Sequence, residues 1–205
     1  FSLEADIRQL RSIADHIPII TINSDYHQPN MYSVVCNEKE GMRTIIHQLA
    51  QKNYHSILYI YDSLTYSGRH KLDGVRQGLQ ELQFNTASSL IYQIPRTLEA
   101  AENLIEQLLT DSIYFDAIVT SEDVLAVGAQ RAARRNGRDI PVIGCNNSIL
   151  AQCATPTLTS LDNKLSNLCQ AAVRIVMDLT NKTPIAVPAR TEFNAELIER
   201  ESFHT

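Results

Sequence analysis

Ser56-Ile57-Leu58-Tyr59-Ile60-Tyr61 is apolar at nearly every position. Successive side chains of a strand point to opposite faces, so a strand with one wet face would alternate apolar and polar residues. Continuous apolarity instead belongs to a parallel sheet covered by helices on both sides. Upstream, Met42, Ile45, Ile46, Leu49 and Ala50 stand at i, i+3, i+4, i+7 and i+8, the stripe of an amphipathic helix. Downstream, Leu72, Val75, Leu79 and Leu82 stripe a second helix.

The alternation continues in both directions. Leu90–Ile94 reads as a strand, and Leu98, Ala101, Ile105, Leu108 and Leu109 as a helix stripe. Asp116–Thr120 is the next strand, and Ser121 is expected to cap a helix starting at Glu122 and stopping near Asn136-Gly137. Ile140–Gly144 follows as a strand, then the short extended piece Thr155–Leu161. Toward the N-terminus, Ile17–Ile22 and Ser33–Cys36 read as strands behind an opening helix carrying Ile7, Leu10, Ile13 and Ala14. A strand–helix repeat of about 30 residues means βαβ units and a doubly wound parallel sheet. The last third breaks this rhythm: Leu165, Leu168, Ala172, Ile175, Val176 and Leu179 stripe a long helix, followed by strand-like pieces at Ile185–Ala189 and Ala195–Glu199.

Composition narrows the function classes. A net charge of −5 gives no overall field that attracts nucleic acid, and the largest basic cluster is Arg131–Arg138. No apolar run reaches the roughly 20 residues of a membrane span. Phe1–Asp6 has neither the basic region nor the apolar core of a signal peptide, which favours cytoplasm weakly, since a mature secreted chain would lack them too. Cys36, Cys145, Cys153 and Cys169 match neither a zinc knuckle nor a redox pair and are expected to be reduced and mostly buried.

No dinucleotide cradle, phosphate-binding loop or nucleophile elbow follows any expected strand, so no cofactor is expected. The six histidines are scattered and none forms a metal-ligand pair; His47 beside an apolar stripe reads as structural. Adjacent residues diverge on a helix, so Glu122-Asp123 fits helix capping better than a catalytic acid pair.

Several segments, in order over almost the whole chain, resemble the effector-binding core of LacI/GalR-family bacterial transcription regulators. They are Ile17–Ile20 with Glu40-Gly41, Lys71-Leu72-Asp73-Gly74-Val75 and Ala117-Ile118-Val119-Thr120-Ser121-Glu122-Asp123-Val124-Leu125-Ala126-Val127-Gly128. Pro141–Ser148, Thr155–Ser160 and Glu196–Ser202 complete the set. The resemblance implies an α/β fold of two Rossmann-like lobes, periplasmic-binding-protein-like, joined by three crossovers with ligand in the cleft. By matched position, Lys71 stands where the family has an effector-holding arginine and Asn146 where an aspartate takes effector hydroxyls. Glu122 occupies an asparagine position, Asn163 follows a crossover, Asn23 closes a strand of the first lobe, and Ser67 and Arg96 sit in loops facing the cleft. Lysine lacks the planar fork of arginine, and asparagine trades a charge for a donor, so the pocket departs from the ordinary sugar type.

The resemblance further implies a homodimer through the helix 122–135, with Val127, Arg131, Arg134 and Arg135 on or beside the shared face, and through the turn Leu150–Cys153. The family's DNA-binding headpiece and two βα units of its first lobe have no counterpart here. The first lobe is therefore expected to be partial, residues 1–36 plus 164–190, and the second to comprise 37–163 plus 191–205. On this reading the chain is a fragment of a longer regulator that contacts DNA through a domain before Phe1, and Ile17–Ile22 has a bare edge. The expected function is sensing of a sugar or other small polar effector, without catalysis. The alternative is a sugar-binding protein of a transport system; the Glu196–Ser202 ending resembles the regulators more. Lys71→Ala is expected to abolish effector-dependent stabilisation at little cost to the fold.

Overall fold

A computed structural model describes residues 6–84, 90–181 and 186–203. The larger sheet has the order β4-β3-β5-β6-β7-β9. Its strands are β3 (Ile57–Tyr61), β4 (Ile91–Gln93), β5 (Ala117–Thr120), β6 (Val142–Cys145), β7 (Thr159–Asp162) and β9 (Glu196–Ile198). All pairings are parallel except β7 with β9. Alternate residues of the same strands serve two separate cores, which is why these strands are apolar throughout. Leu58, Ile60 and Ile118 pack under α4 (Leu98–Thr110) and α5 (Asp123–Arg135). Ile57, Tyr59, Val119 and Cys145 pack under α2 (Glu38–Gln51) and α3 (Tyr66–Glu81).

The smaller sheet has the order β1-β2-β8 and is parallel, with β1 (Ile19–Ile22), β2 (Met31–Asn37) and β8 (Arg190–Asn194). The helix α7 (Leu165–Thr180) covers one face, where Leu168 and Ile175 meet Val34 and Cys36. The opening helix α1 (Ile7–Ala14) buries only Ala14. Among the described residues β1 borders this sheet, and Ile13, Ile17 and Ile22 are exposed.

The chain passes between the two sheets three times: from β2 to α2, from β7 to α7, and from β8 to β9. Three local expectations change. The strand expected at Ile185–Ala189 is β8, Arg190–Asn194; Ile185 lies outside the described residues. Residues 191–194 consequently belong to the smaller sheet, four residues beyond the expected boundary, because their register with Ser33–Asn37 holds them there. Ser121 does not cap α5: Glu122 holds the cap position, and the Ser121 hydroxyl donates to Asp62 instead, at 3.2 Å. All four cysteines are free, with Cys36 and Cys145 buried but Cys153 and Cys169 exposed on the short helix α6 (Ile149–Cys153) and on α7.

Candidate functional site

Parallel strands end together, so the loops after them converge on one edge of the sheet. Here the loops after β3, β4, β5, β6 and β7 meet the loop after β1 across a cavity of about 650 Å³. All seven residues singled out from the sequence line it: Asn23, Ser67, Lys71, Arg96, Glu122, Asn146 and Asn163. One stands differently from expected: Ser67, together with Lys71, lies in the first two turns of α3 rather than in a loop. Gly68 permits the approach of that turn to the loop after β3, since a Cβ there would lie 2.1 Å from the Ser63 carbonyl.

Lys71 is 2% exposed, which reverses the expectation of a loosely packed cleft lysine. Its ammonium donates to the Ser121 carbonyl at 3.0 Å, to Asn146 Oδ1 at 3.3 Å and to Glu122 Oε1 at 3.5 Å. Glu38, buried at the start of α2, stands 3.4 Å away as an ion-pair partner. Burial opposes the charge on Lys71, but Cys145, Glu38, Glu122 and Tyr59 around it outweigh that and hold its pKa well above the ordinary lysine value. Burial also raises the Cys145 thiol and the Tyr59 phenol, so at neutral pH both are protonated and the two carboxylates supply the compensation. Burial, reinforced by nearby Asp62, raises the Glu122 carboxyl from its ordinary value despite Lys71 and Arg96.

The amides form a directed chain. Asn146, at φ 96°, donates its Nδ2 to Glu122 Oε2 at 2.7 Å and accepts from Asn163 Nδ2 at 3.0 Å. The carboxylate at one end and the lysine beside it set both amide orientations, because neither could be flipped without facing like groups. Asn163 Oδ1 is thereby left buried without a hydrogen-bond partner, and Asn23 Oδ1 after β1 is likewise unpaired. At the mouth, Arg96 lies 3.8 Å from both Asp62 Oδ2 and Glu122 Oε2, with its own side chain 59% exposed.

Sequence reading missed Glu38 and Asp62. Asp62 directly follows a strand of the parallel sheet, a position that could have flagged it. Glu38 resembled an ordinary acidic residue in a helix first turn, and only the fold brings Lys71 to it. Among the described residues no group of side chains could hold a metal ion.

Residues 46–203 match the periplasmic binding protein-like domain family. An HTH-type transcriptional regulator of Lachnoclostridium phytofermentans is 32% identical over 201 residues, covering 96% of this chain and 60% of its own length. The HTH-type regulator DegA of Bacillus subtilis is 31% identical over 160 residues, covering 76% of this chain and 47% of its own. The chain thus spans roughly half of each relative. Among solved structures, a sugar-binding transcriptional regulator of the LacI family from Escherichia coli superposes with a TM-score of 0.85 at 21% identity, over 97% of this chain and 73% of that one. Fold and sequence agree: the chain belongs to the periplasmic binding protein-like domain family.

Proposed function

We propose that this chain is the effector-sensing part of a transcription regulator, whose ligand seats in the cavity between the two sheets. The observation that carries this reading is the pair of buried acceptors, Asn163 Oδ1 after β7 and Asn23 Oδ1 after β1, with no partner inside the protein. An unpaired buried acceptor costs about 1–3 kcal/mol, which a hydrogen-bonding ligand would relieve. A ligand touching both lobes has different contacts in open and closed arrangements, and that difference is what shifts a conformational equilibrium. DNA would be gripped by a helix-turn-helix segment outside these residues, as the descriptions of the relatives suggest. Their being regulators also favours this reading over a transport protein.

Ligand sensing without catalysis, a cytoplasmic location and a homodimer complete the proposal. No described helix is long and apolar enough to cross a membrane. Val127, expected on or beside the dimer face, is 4% exposed and packs into the core from α5. Leu150 and Arg131, both named for that face, are exposed, and so is Ile149 beside Leu150.

A thermal-shift screen of sugars, sugar phosphates and nucleobases tests the sensing role. A ligand at 100 times its dissociation constant adds about 2.7 kcal/mol of stability. The reading requires that Asn163→Ala abolish the shift; a shift unaffected by Asn163→Ala places the ligand elsewhere and overturns it.

A further inference from the structure

We infer that the effector presents a protonated amine on a hydroxyl-bearing frame, seated between the carboxylates of Asp62 and Glu122 where the Arg96 guanidinium now stands. The inference rests on the cavity being an effector site and names the chemistry of what enters it.

Hydrogen-bond accounting inside the cavity points this way. The ammonium of Lys71 has three protons and donates to three acceptors, on Ser121, Asn146 and Glu122, with Glu38 3.4 Å away as an ion-pair partner, so it has no proton to offer a ligand. The Asn146 carbonyl accepts twice, from Lys71 and Asn163, and one N–H of each amide is spent, on Glu122 and on Asn146. Besides hydroxyls such as that of Ser67 and the second N–H of each amide, the lining offers unpaired acceptors on Asn163 and Asn23 and two carboxylates with side chains 12% and 18% exposed. The positive ends of the two helices at this edge are already answered. The Gly68 amide of α3 donates to the Thr65 hydroxyl, and α5 carries Asp123 in its first turn.

Arg96 is the cation that answers Asp62 and Glu122 from the mouth, and it answers them loosely. Its contacts are 3.8 Å each, beyond hydrogen-bond distance, and its side chain is more than half exposed. Such a pair is worth little, so a better-placed cation displaces it at small cost. A ligand ammonium reaching both carboxylates would make charge-assisted bonds, roughly twice as strong as those of a neutral hydroxyl. Hydroxyls on the same frame would supply the donors that Asn163 and Asn23 lack. A phosphate or carboxylate ligand would meet two like charges with Lys71 already saturated, which selects against it.

The test is titration of the protein with D-glucosamine, D-glucose and D-glucose 6-phosphate, three probes sharing one frame, followed by calorimetry and thermal shift under conditions that protonate the amine. Glucosamine is expected to bind at least about tenfold more tightly than glucose, with glucose 6-phosphate weakest. Asp62→Asn with Glu122→Gln should erase the preference for glucosamine, and Arg96→Ala should strengthen glucosamine binding by removing the internal competitor. Equal binding of glucose and glucosamine, or stronger binding of the phosphate, overturns the amine while leaving the cavity an effector site. Binding of none of the three overturns the amine on a hexose frame, whereas binding indifferent to Asn163→Ala overturns the effector site itself.

Discussion

The ammonium of Lys71 lies 3.4 Å from Oε1 of Glu38, the residue at which the chain leaves the smaller sheet and enters α2. This buried pair ties a helix of the larger lobe to a crossover, so the cleft side chain with the largest structural role is also a site residue. Lys71→Ala would leave Glu38, 1% exposed, without its cation. Removing one partner of a buried ion pair costs about 3–5 kcal/mol. Urea denaturation should show that loss, where the sequence suggested little; a change below about 1 kcal/mol would contradict the pairing. The folded pKa of Lys71 is raised, so its contribution is complete below the ordinary lysine pKa and disappears only as pH climbs through the higher folded value.

Glu122 titrates in the opposite sense for stability at neutral pH. Burial, the largest influence, raises its pKa in the folded protein. The folded state therefore holds this proton more tightly than the unfolded chain, and stability is lost as pH rises through the folded pKa. Glu122→Gln also takes a carboxylate from Lys71, so the expected signature is a flattened pH profile: relative to wild type the variant is worst at acidic pH and gains as pH rises through the Glu122 pKa. Paired denaturation curves at neutral and acidic pH measure this; a gain that grows on acidification would refute it.

Thiol chemistry separates the cysteines by burial. Cys36 is pushed up to about 12, mainly by burial, and Cys145 is fully buried with its thiol also raised. Thiolate is the reactive form, so neither should react in the native protein. A disulfide reagent is expected to modify Cys153 and Cys169 alone until denaturant releases the other two. Mass spectrometry of the modified peptides identifies them.

Gly74 sits where α3 crosses α2. A Cβ there would lie 2.2 Å from the Lys39 carbonyl and 3.0 Å from Met42 Cβ. Alanine would gain about 1 kcal/mol of helix propensity, but separating two packed helices costs about 1–3 kcal/mol or more. Gly74→Ala should therefore lower Tm by several degrees in calorimetry, and an unchanged or raised Tm would show that the helices yield freely.

Assembly should depend on α6. Ile149 is 67% exposed and Leu150 39%. In an isologous dimer each change is felt twice, so Ile149→Asp with Leu150→Asp should convert a dimer to a monomer in sedimentation at micromolar concentration. A wild-type monomer under the same conditions would remove the dimer from the proposal.

The covered parallel sheet was legible in the sequence because period and apolarity are local properties. Ile57–Tyr61 had to be buried on both faces, and the stripes from Met42 to Leu49 and from Leu72 to Leu79 had to be the helices over it. The ends of elements were less legible. Arg190–Asn194 alternates exposed and half-buried residues, and what makes it a strand is its register with Ser33–Asn37, far away along the chain. Ser121 had the right chemistry for a cap, yet its hydroxyl found Asp62 at the end of the neighbouring strand. The cavity residues could be named one by one from a resemblance, but their division of labour could not. That Lys71 is saturated and Asn163 left wanting a donor follows from Glu38, Ser121, Glu122 and Asn146 being folded around one ammonium. Patterning decides which residues are hidden from water; which polar groups are hidden together, and therefore which remain unpaired, is decided only when distant segments pack.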